Sequence, residues 1–326
     1  MQIITGFLLR FNYCRNRQFA FERVLIICQE RFNGSLIRWT HLNGASLFFI
    51  IVYLHIARGL INYSFRLTKT WLRGVTILLI LMITAFLGYV LPWGQMSLWG
   101  ATVITNLVSA VPIVGDKIVI WLWGGFAVNS YTLSFFYSLH FIMPLLMVVI
   151  VLFHIIFLHE TGSSSTLYLH THEVKMSFNY SFVIKDMINC AVFFLFFLFI
   201  FVAPYKLGDP ENFILANPLM SPLHIQPEWY FLFAYAILRA IPNKLGGVVA
   251  LALRVVIFYM FPFFSVYPMD EQNKLVFWLF LSSFILLTWL GRCPVEEPYI
   301  TIRQVLTFIY FICCFLFVLP VHVLFL

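Results

Sequence analysis

His41-Leu-Asn-Gly-Ala-Ser-Leu-Phe-Phe-Ile-Ile-Val-Tyr-Leu-His55 and His140-Phe-Ile-Met-Pro-Leu-Leu-Met-Val-Val-Ile-Val-Leu-Phe-His154 are two apolar stretches, each closed at both ends by a histidine. Fourteen residues of α-helix advance about 21 Å and return the side chain to within about 40° of the same face. Each stretch therefore carries one imidazole toward each end of a membrane span. Two such helices laid together set His41 against one member of the other pair and His55 against the second. The result is two stacked sites with two axial nitrogens each, a plan for two haems across a bilayer. A lone buried histidine is ordinarily a hydrogen-bonded core residue. Ionisable groups inside membranes are rare and tend to be functional, however, and the repeated spacing favours ligation.

Composition sets the same stage. The chain has 326 residues, 62% hydrophobic and 10% charged, with mean hydropathy +0.94. That is too apolar for a soluble domain and fits an all-α, polytopic transmembrane bundle. Apolar stretches of about 20 residues cross a hydrocarbon core of about 30 Å. Spans are expected near 42–62, 74–92, 132–158, 187–205, 246–266, 274–290 and 302–323, with a partial one at the start, about eight in all. The stretch 93–129 reads as short helices on the membrane surface. The segment 206–245, holding six prolines from Pro204 to Pro242 at its edges and within, reads as an irregular surface excursion. Two regions follow, 1–186 and 187–326. The net charge of +7 comes from basic residues scattered among short loops, which argues against nucleic acid. Both sides of the first span are basic, so charge asymmetry gives no orientation. Six cysteines form no Cys-x-x-Cys-His, so any haem is held by ligation alone.

Further motifs stand in order along the chain: His41-Leu-Asn-Gly-Ala-Ser46, His55-Ile-Ala-Arg-Gly59, Gly88-Tyr-Val-Leu-Pro-Trp-Gly-Gln-Met96, Trp99-Gly-Ala-Thr-Val-Ile-Thr-Asn-Leu107, Pro227-Glu-Trp-Tyr230 and Ile237-Leu-Arg-Ala-Ile-Pro-Asn-Lys244. Through them the chain resembles, over nearly its whole length, the mitochondrial cytochrome b family, the di-haem core of ubiquinol-cytochrome c oxidoreductase (respiratory complex III). The resemblance implies that His41 and His140 ligate a low-potential haem near the outer face, and His55 and His154 a high-potential haem near the matrix face. That pairing requires the two histidine helices to run parallel. Gly74 and Gly88, again fourteen apart, offer a missing side chain at both depths. Gly6 matches a further family glycine. Arg38 and Arg58, each three residues from a ligand, can pair with haem propionates.

The resemblance also implies a quinol-oxidation pocket beside the low-potential haem. Glu228 is its expected proton acceptor, because a carboxyl in an apolar pocket titrates nearer neutrality. Tyr235 is an expected quinol contact. Phe86, Tyr89, Met96, Gly100 and the turn Pro227, Trp229 and Tyr230 are the expected lining. Phe233-Ala234 departs from the family's more usual Pro-Phe, which puts the pocket's shape in question. A second pocket, for quinone reduction near the other haem, is matched by His159, Ser163, Lys185 and Asp186. The family's Asn-Pro is absent there, where Ser165-Thr166 stands, and His170 and His172 read as solvated loop residues.

Expected partners are a Rieske iron-sulfur protein, a c-type cytochrome and the accessory and core subunits of complex III, in a homodimer in the mitochondrial inner membrane. The docking face is expected on 99–129 and 206–245. Only residues 2–13 precede the first loop, about 18 Å of helix, so the matrix-side half of that span is expected from another peptide or from an upstream start. Two alternatives are the split cytochrome of the photosynthetic plastoquinol complex, whose relative ends after the fourth span, and a haem-free transporter using the histidines as a proton relay.

Overall fold

The computed structural model describes residues 1–164, 177–264 and 271–317. Among them there is no strand, and twelve α-helices follow one another: α1 Gln2–Arg10, α2 Ala20–Glu30, α3 Gly34–Ile61, α4 Thr68–Val90, α5 Gln95–Asn106, α6 Gly115–Trp123, α7 Ser130–Thr161, α8 Phe178–Val202, α9 Leu232–Ala240, α10 Lys244–Phe264, α11 Glu271–Arg292 and α12 Tyr299–Leu316. Seven of these (α3, α4, α7, α8, α10, α11 and α12) are long and apolar enough to cross a membrane, and α1, where a partial span was expected, is nine residues long. His170 and His172 lie outside the described residues, as do Ser165 and Thr166.

Local chemistry sets the ends of the helix that matters most. Asn129 caps α7 by accepting from the Tyr131 amide at 2.7 Å, while Thr132 Oγ1 accepts from the Asn129 amide at 3.1 Å, so two of the four orphan donors are met. The helix then runs for 32 residues straight through Pro144. Its main neighbour is α4, which lies antiparallel between α3 and α7 in the chain and returns the polypeptide across the membrane.

Three apolar clusters divide the interior. One joins α9 to α12 with the ends of α3 and α4. Another joins the end of α4 to α5 and the start of α7. The third lies between α3, α4 and α7 and takes in Tyr230. Two expectations change here. The segment 206–245 is not wholly a surface excursion, because Leu232, Phe233, Ala236 and Ile237 bury the apolar face of α9 among α10, α11 and α12. A boundary after 186 falls inside α8, which begins nine residues before the span expected at 187–205. Its polar opening turns, Asn179 to Asp186, hid the start from hydropathy alone.

Candidate functional site

The four histidines form two facing pairs. His41 and His140 have ring centres 6.2 Å apart at 88°, and His55 and His154 have centres 6.2 Å apart at 71°. First faces first and second faces second, so α3 and α7 run parallel. Three of the rings are anchored through Nδ1. That of His140 donates to the Thr84 carbonyl and that of His154 to the Thr70 carbonyl, each at 2.8 Å, while that of His41 lies 2.9 Å from Thr5 Oγ1. A ring that donates through Nδ1 leaves Nε2 unprotonated and available as a ligand.

Glycines make this seating possible, and the atoms they make room for are the imidazoles themselves. A Cβ on Gly6 would stand 3.1 Å from His41 Cε1, one on Gly74 would stand 3.2 Å from His154 Cε1, and one on Gly88 would overlap the His140 ring. Thr70 to Gly74 and Thr84 to Gly88 are i,i+4 pairs, one above the other on a helix face. Each supplies an acceptor for Nδ1 and, one turn later, a gap for the ring.

Does this arrangement fit a haem iron? Two Fe–N bonds of about 2 Å each, plus about 1.1 Å from each nitrogen to its ring centre, make about 6 Å, close to the observed 6.2 Å. Among the described residues no cluster of three or more histidine, cysteine or acidic side chains stands ready to hold a bare metal ion. A cavity of about 570 Å³ opens at the His41–His140 pair and is lined by Gly6, Gly88 and Arg38 as well. That volume lies in the range of cofactor sites. Arg38 reaches Cys28 Sγ at 3.4 Å and lies over the Phe213 ring. Arg58 is exposed on the last turn of α3.

The cavity extends to Glu228 and Tyr89, where a second, smaller hollow of about 30 Å³ begins. Phe86, Gly100, Pro227 and Tyr235 line it with them. A Cβ on Gly100 would meet nothing within 4 Å, so this glycine opens space. Glu228 is only 9% exposed, and its Oε1 has no hydrogen-bond partner. Burial pushes its carboxyl up to about 7; the nearby Tyr89 hydroxyl opposes this and the charge of Asp209 adds to it. Such a group exchanges protons at physiological pH.

Three expected lining residues do other work. Trp229 donates through Nε1 to Ser46 Oγ at 3.0 Å. Tyr230 stacks on Phe49 with ring centres 4.1 Å apart, and its carbonyl accepts from the Tyr53 hydroxyl at 2.6 Å. Both pin the turn to α3, and Tyr230 borders the larger cavity but not the hollow. Met96 is fully buried and borders neither. Phe233 and Ala234 pack into the α9–α12 cluster, so the departure from Pro-Phe does not reach the hollow. A zipper that sequence reasoning missed joins the two sides: Asn212 Oδ1 accepts from the amide and hydroxyl of Ser97 at 2.8 and 2.9 Å, and Gln95 bonds Met220 and Asn217.

The described side chains expected at the second pocket lie at the end of α7 and the start of α8. His159 closes α7, Ser163 follows it, and Lys185 and Asp186 lie near the start of α8; all four are exposed. Lys185 Nζ lies over the ring of Phe182 on its own helix, and none of the four borders either cavity. Of its residues α8 buries only Ile200, and just beyond its C-terminal end the Pro204 carbonyl accepts from Asn43 of α3 at 2.8 Å.

Two family models match, Cytochrome b/b6/petB over residues 1–162 and Cytochrome b(C-terminal)/b6/petD over residues 215–311. The curated protein "Cytochrome b" of Apis mellifera ligustica is 50% identical over 321 residues, 97% of this chain and 84% of the relative. The chain belongs to the cytochrome b family. As a member it is a haem-b protein, and its multi-pass helices are those of a membrane subunit. A solved chain described as "Hyperthermophilic respiratory Complex III" superposes with a TM-score of 0.88 at 30% identity, covering 97% of this chain and 86% of that one. The family models meet the described geometry where it is densest: the first takes in all four histidines, the second Glu228 and Tyr235.

Gly88→Ala is the sharpest test of the ring seat. The added methyl overlaps His140, and overpacking of this kind costs about 1–3 kcal/mol. The variant is expected to lose the haem of that pair, while Gly100→Ala, whose methyl enters open space, keeps both. Haem content of the two purified variants decides it.

Proposed function

We propose that this chain is the cytochrome b subunit of respiratory complex III and that it oxidises ubiquinol at the hollow beside Glu228. The observation that carries the reading is the pair of facing imidazoles repeated at two depths, with Nδ1 engaged in three of the four rings. His41 and His140 hold one b haem, and His55 and His154 the other. When bound, the two haems supply one-electron carriers that link the two faces of the membrane.

The protein's own part is to position, exclude water and move protons. Apolar walls from Phe86 and Phe231 keep water from the hollow, and Tyr235, held by its hydroxyl on the Ile225 carbonyl at 3.2 Å, sets the far side. Glu228 Oε1, free of other hydrogen bonds, takes the two quinol hydroxyl protons in turn, releasing the first before it accepts the second. Because Glu228 borders both cavities, it can release each proton toward the space beside Arg38. Of the two electrons, one passes to a Rieske iron-sulfur protein and on to a c-type cytochrome, the other across the membrane to a second quinone. His159, Ser163, Lys185 and Asp186 serve that second quinone within the assembled complex.

The segments 99–129 and 206–245 form the docking face for the iron-sulfur head, in a homodimeric complex with accessory and core subunits in the mitochondrial inner membrane. Exposed apolar tips at Ile113, Phe126, Leu219 and Leu223 on these segments favour such a partner. Quinol-driven reduction of a c-type cytochrome by the purified complex tests the reading. Turnover that depends on added quinol supports it; a complex carrying this chain that transfers no electrons from quinol contradicts it.

A further inference from the structure

The three anchored histidines do not use the same kind of acceptor. His140 and His154 rest on backbone carbonyls, which any residue at positions 84 and 70 would provide. His41 rests on a side chain, the hydroxyl of Thr5 at 2.9 Å. Thr5 lies on α1 and is 9% exposed, with Oγ1 also 3.1 Å from the Met1 carbonyl and 3.2 Å from the Gln2 carbonyl. A hydroxyl has one proton and two lone pairs. Donated to its own helix, the proton leaves the lone pairs to accept from His41 Nδ1–H. The tautomer so fixed has an unprotonated Nε2, free to ligate, on a ring whose centre lies 6.2 Å from that of His140.

The rest of α1 supports the same grip. Gln2, one turn before Gly6, donates through Nε2 to the His41 carbonyl at 2.8 Å. Gly6 leaves the gap in which the ring sits. The short helix therefore holds His41 at its backbone, its ring edge and its outer nitrogen at once.

We infer that Thr5 is a positioning residue for the axial ligand His41, setting its tautomer and ring orientation and its strength as a donor. The inference rests on the haem-ligand reading above. A hydrogen bond to the outer nitrogen raises the basicity of a ligating imidazole, and loss of such a partner typically weakens metal binding about 10- to 100-fold. A less basic ligand stabilises ferric iron less than ferrous, so the midpoint potential of that haem rises.

The experiment uses the assembled complex with Thr5→Val, which keeps the shape and removes the acceptor, and Thr5→Ser, which keeps the hydroxyl. Potentiometric titration and low-temperature electron paramagnetic resonance read each haem separately. In Thr5→Val the haem of the His41–His140 pair is expected to shift to a higher midpoint with altered g values, to bind about 10- to 100-fold more weakly, and to leave the other haem unchanged. Thr5→Ser is expected to restore the parent spectrum. A Thr5→Val complex with parental midpoint and g values would overturn the inference, as would Thr5→Ser as defective as Thr5→Val. Failure of the ligand reading itself would look different, because the parent complex would then show no low-spin bis-imidazole signal.

Discussion

Replacing His140 with Leu removes one haem and leaves the other. Its ring centre lies 6.2 Å from that of His41, and its Nδ1 is bound to the Thr84 carbonyl, the geometry of an axial ligand that leucine does not replace. The His55–His154 pair lies fourteen residues further along both helices and is anchored separately, through Thr70. A purified His140→Leu complex is therefore expected to contain half the parental haem b, to retain the higher-potential component and to lose quinol turnover entirely. His55→Leu is the mirror case and removes the higher-potential component. Loss of both haems in either variant, or of neither, would break the assignment of one pair to one haem. The pyridine haemochrome content and the redox titration of the two variants supply the measurement.

Glu228→Gln is the second large effect. The substitution keeps size and hydrogen-bonding shape but abolishes titration, and removal of a general base lowers turnover by about 10²- to 10⁴-fold. Both haems stay, because Glu228 borders the larger cavity without touching a histidine pair. The pH profile adds an independent check. With its carboxyl held at about 7, above the ordinary value of 4.5, Glu228 is mostly protonated below pH 7 and mostly able to accept above it. Quinol oxidation by the parent complex is expected to rise with an inflection near pH 7, which Glu228→Gln lacks. The sign for stability is the reverse. A carboxyl raised on folding penalises the native state as pH climbs from about 4.5 to about 7, so Glu228→Gln is expected to melt higher than the parent at pH 8 and no higher at pH 4. Turnover unchanged in the variant across pH 6 to 8 would remove Glu228 from the proton route.

Much of the site was legible because its signals are periodic. His41, His55, His140 and His154 repeat at one spacing, Gly74 and Gly88 repeat it on a third helix, and an α-helix turns such a repeat into two depths on one face. Glu228 was legible for a different reason, through the resemblance carried by Pro227-Glu-Trp-Tyr230. Orientation was not. Met96, Trp229 and Tyr230 share the apolar character of the lining residues, and only packing against Ser46, Phe49 and Tyr53 shows that the last two face α3.

Thr5 was missed because a threonine in an apolar run has no periodic mark. The one signal that could have found it is its place beside Gly6, since a glycine that admits a ring needs a neighbour to hold that ring. His159 and Asp186 are exposed, and no periodic mark in the sequence tells how the start of α8 sits relative to the end of α7.

A reduced-minus-oxidised optical spectrum of the purified complex, set against the amount of this chain, tests the central claim most directly. Two b-type haems per chain, titrating as two one-electron components with low-spin bis-imidazole signatures, is the predicted result. A spectrum with no haem, as a histidine proton relay would give, or with a single component per chain, would contradict it.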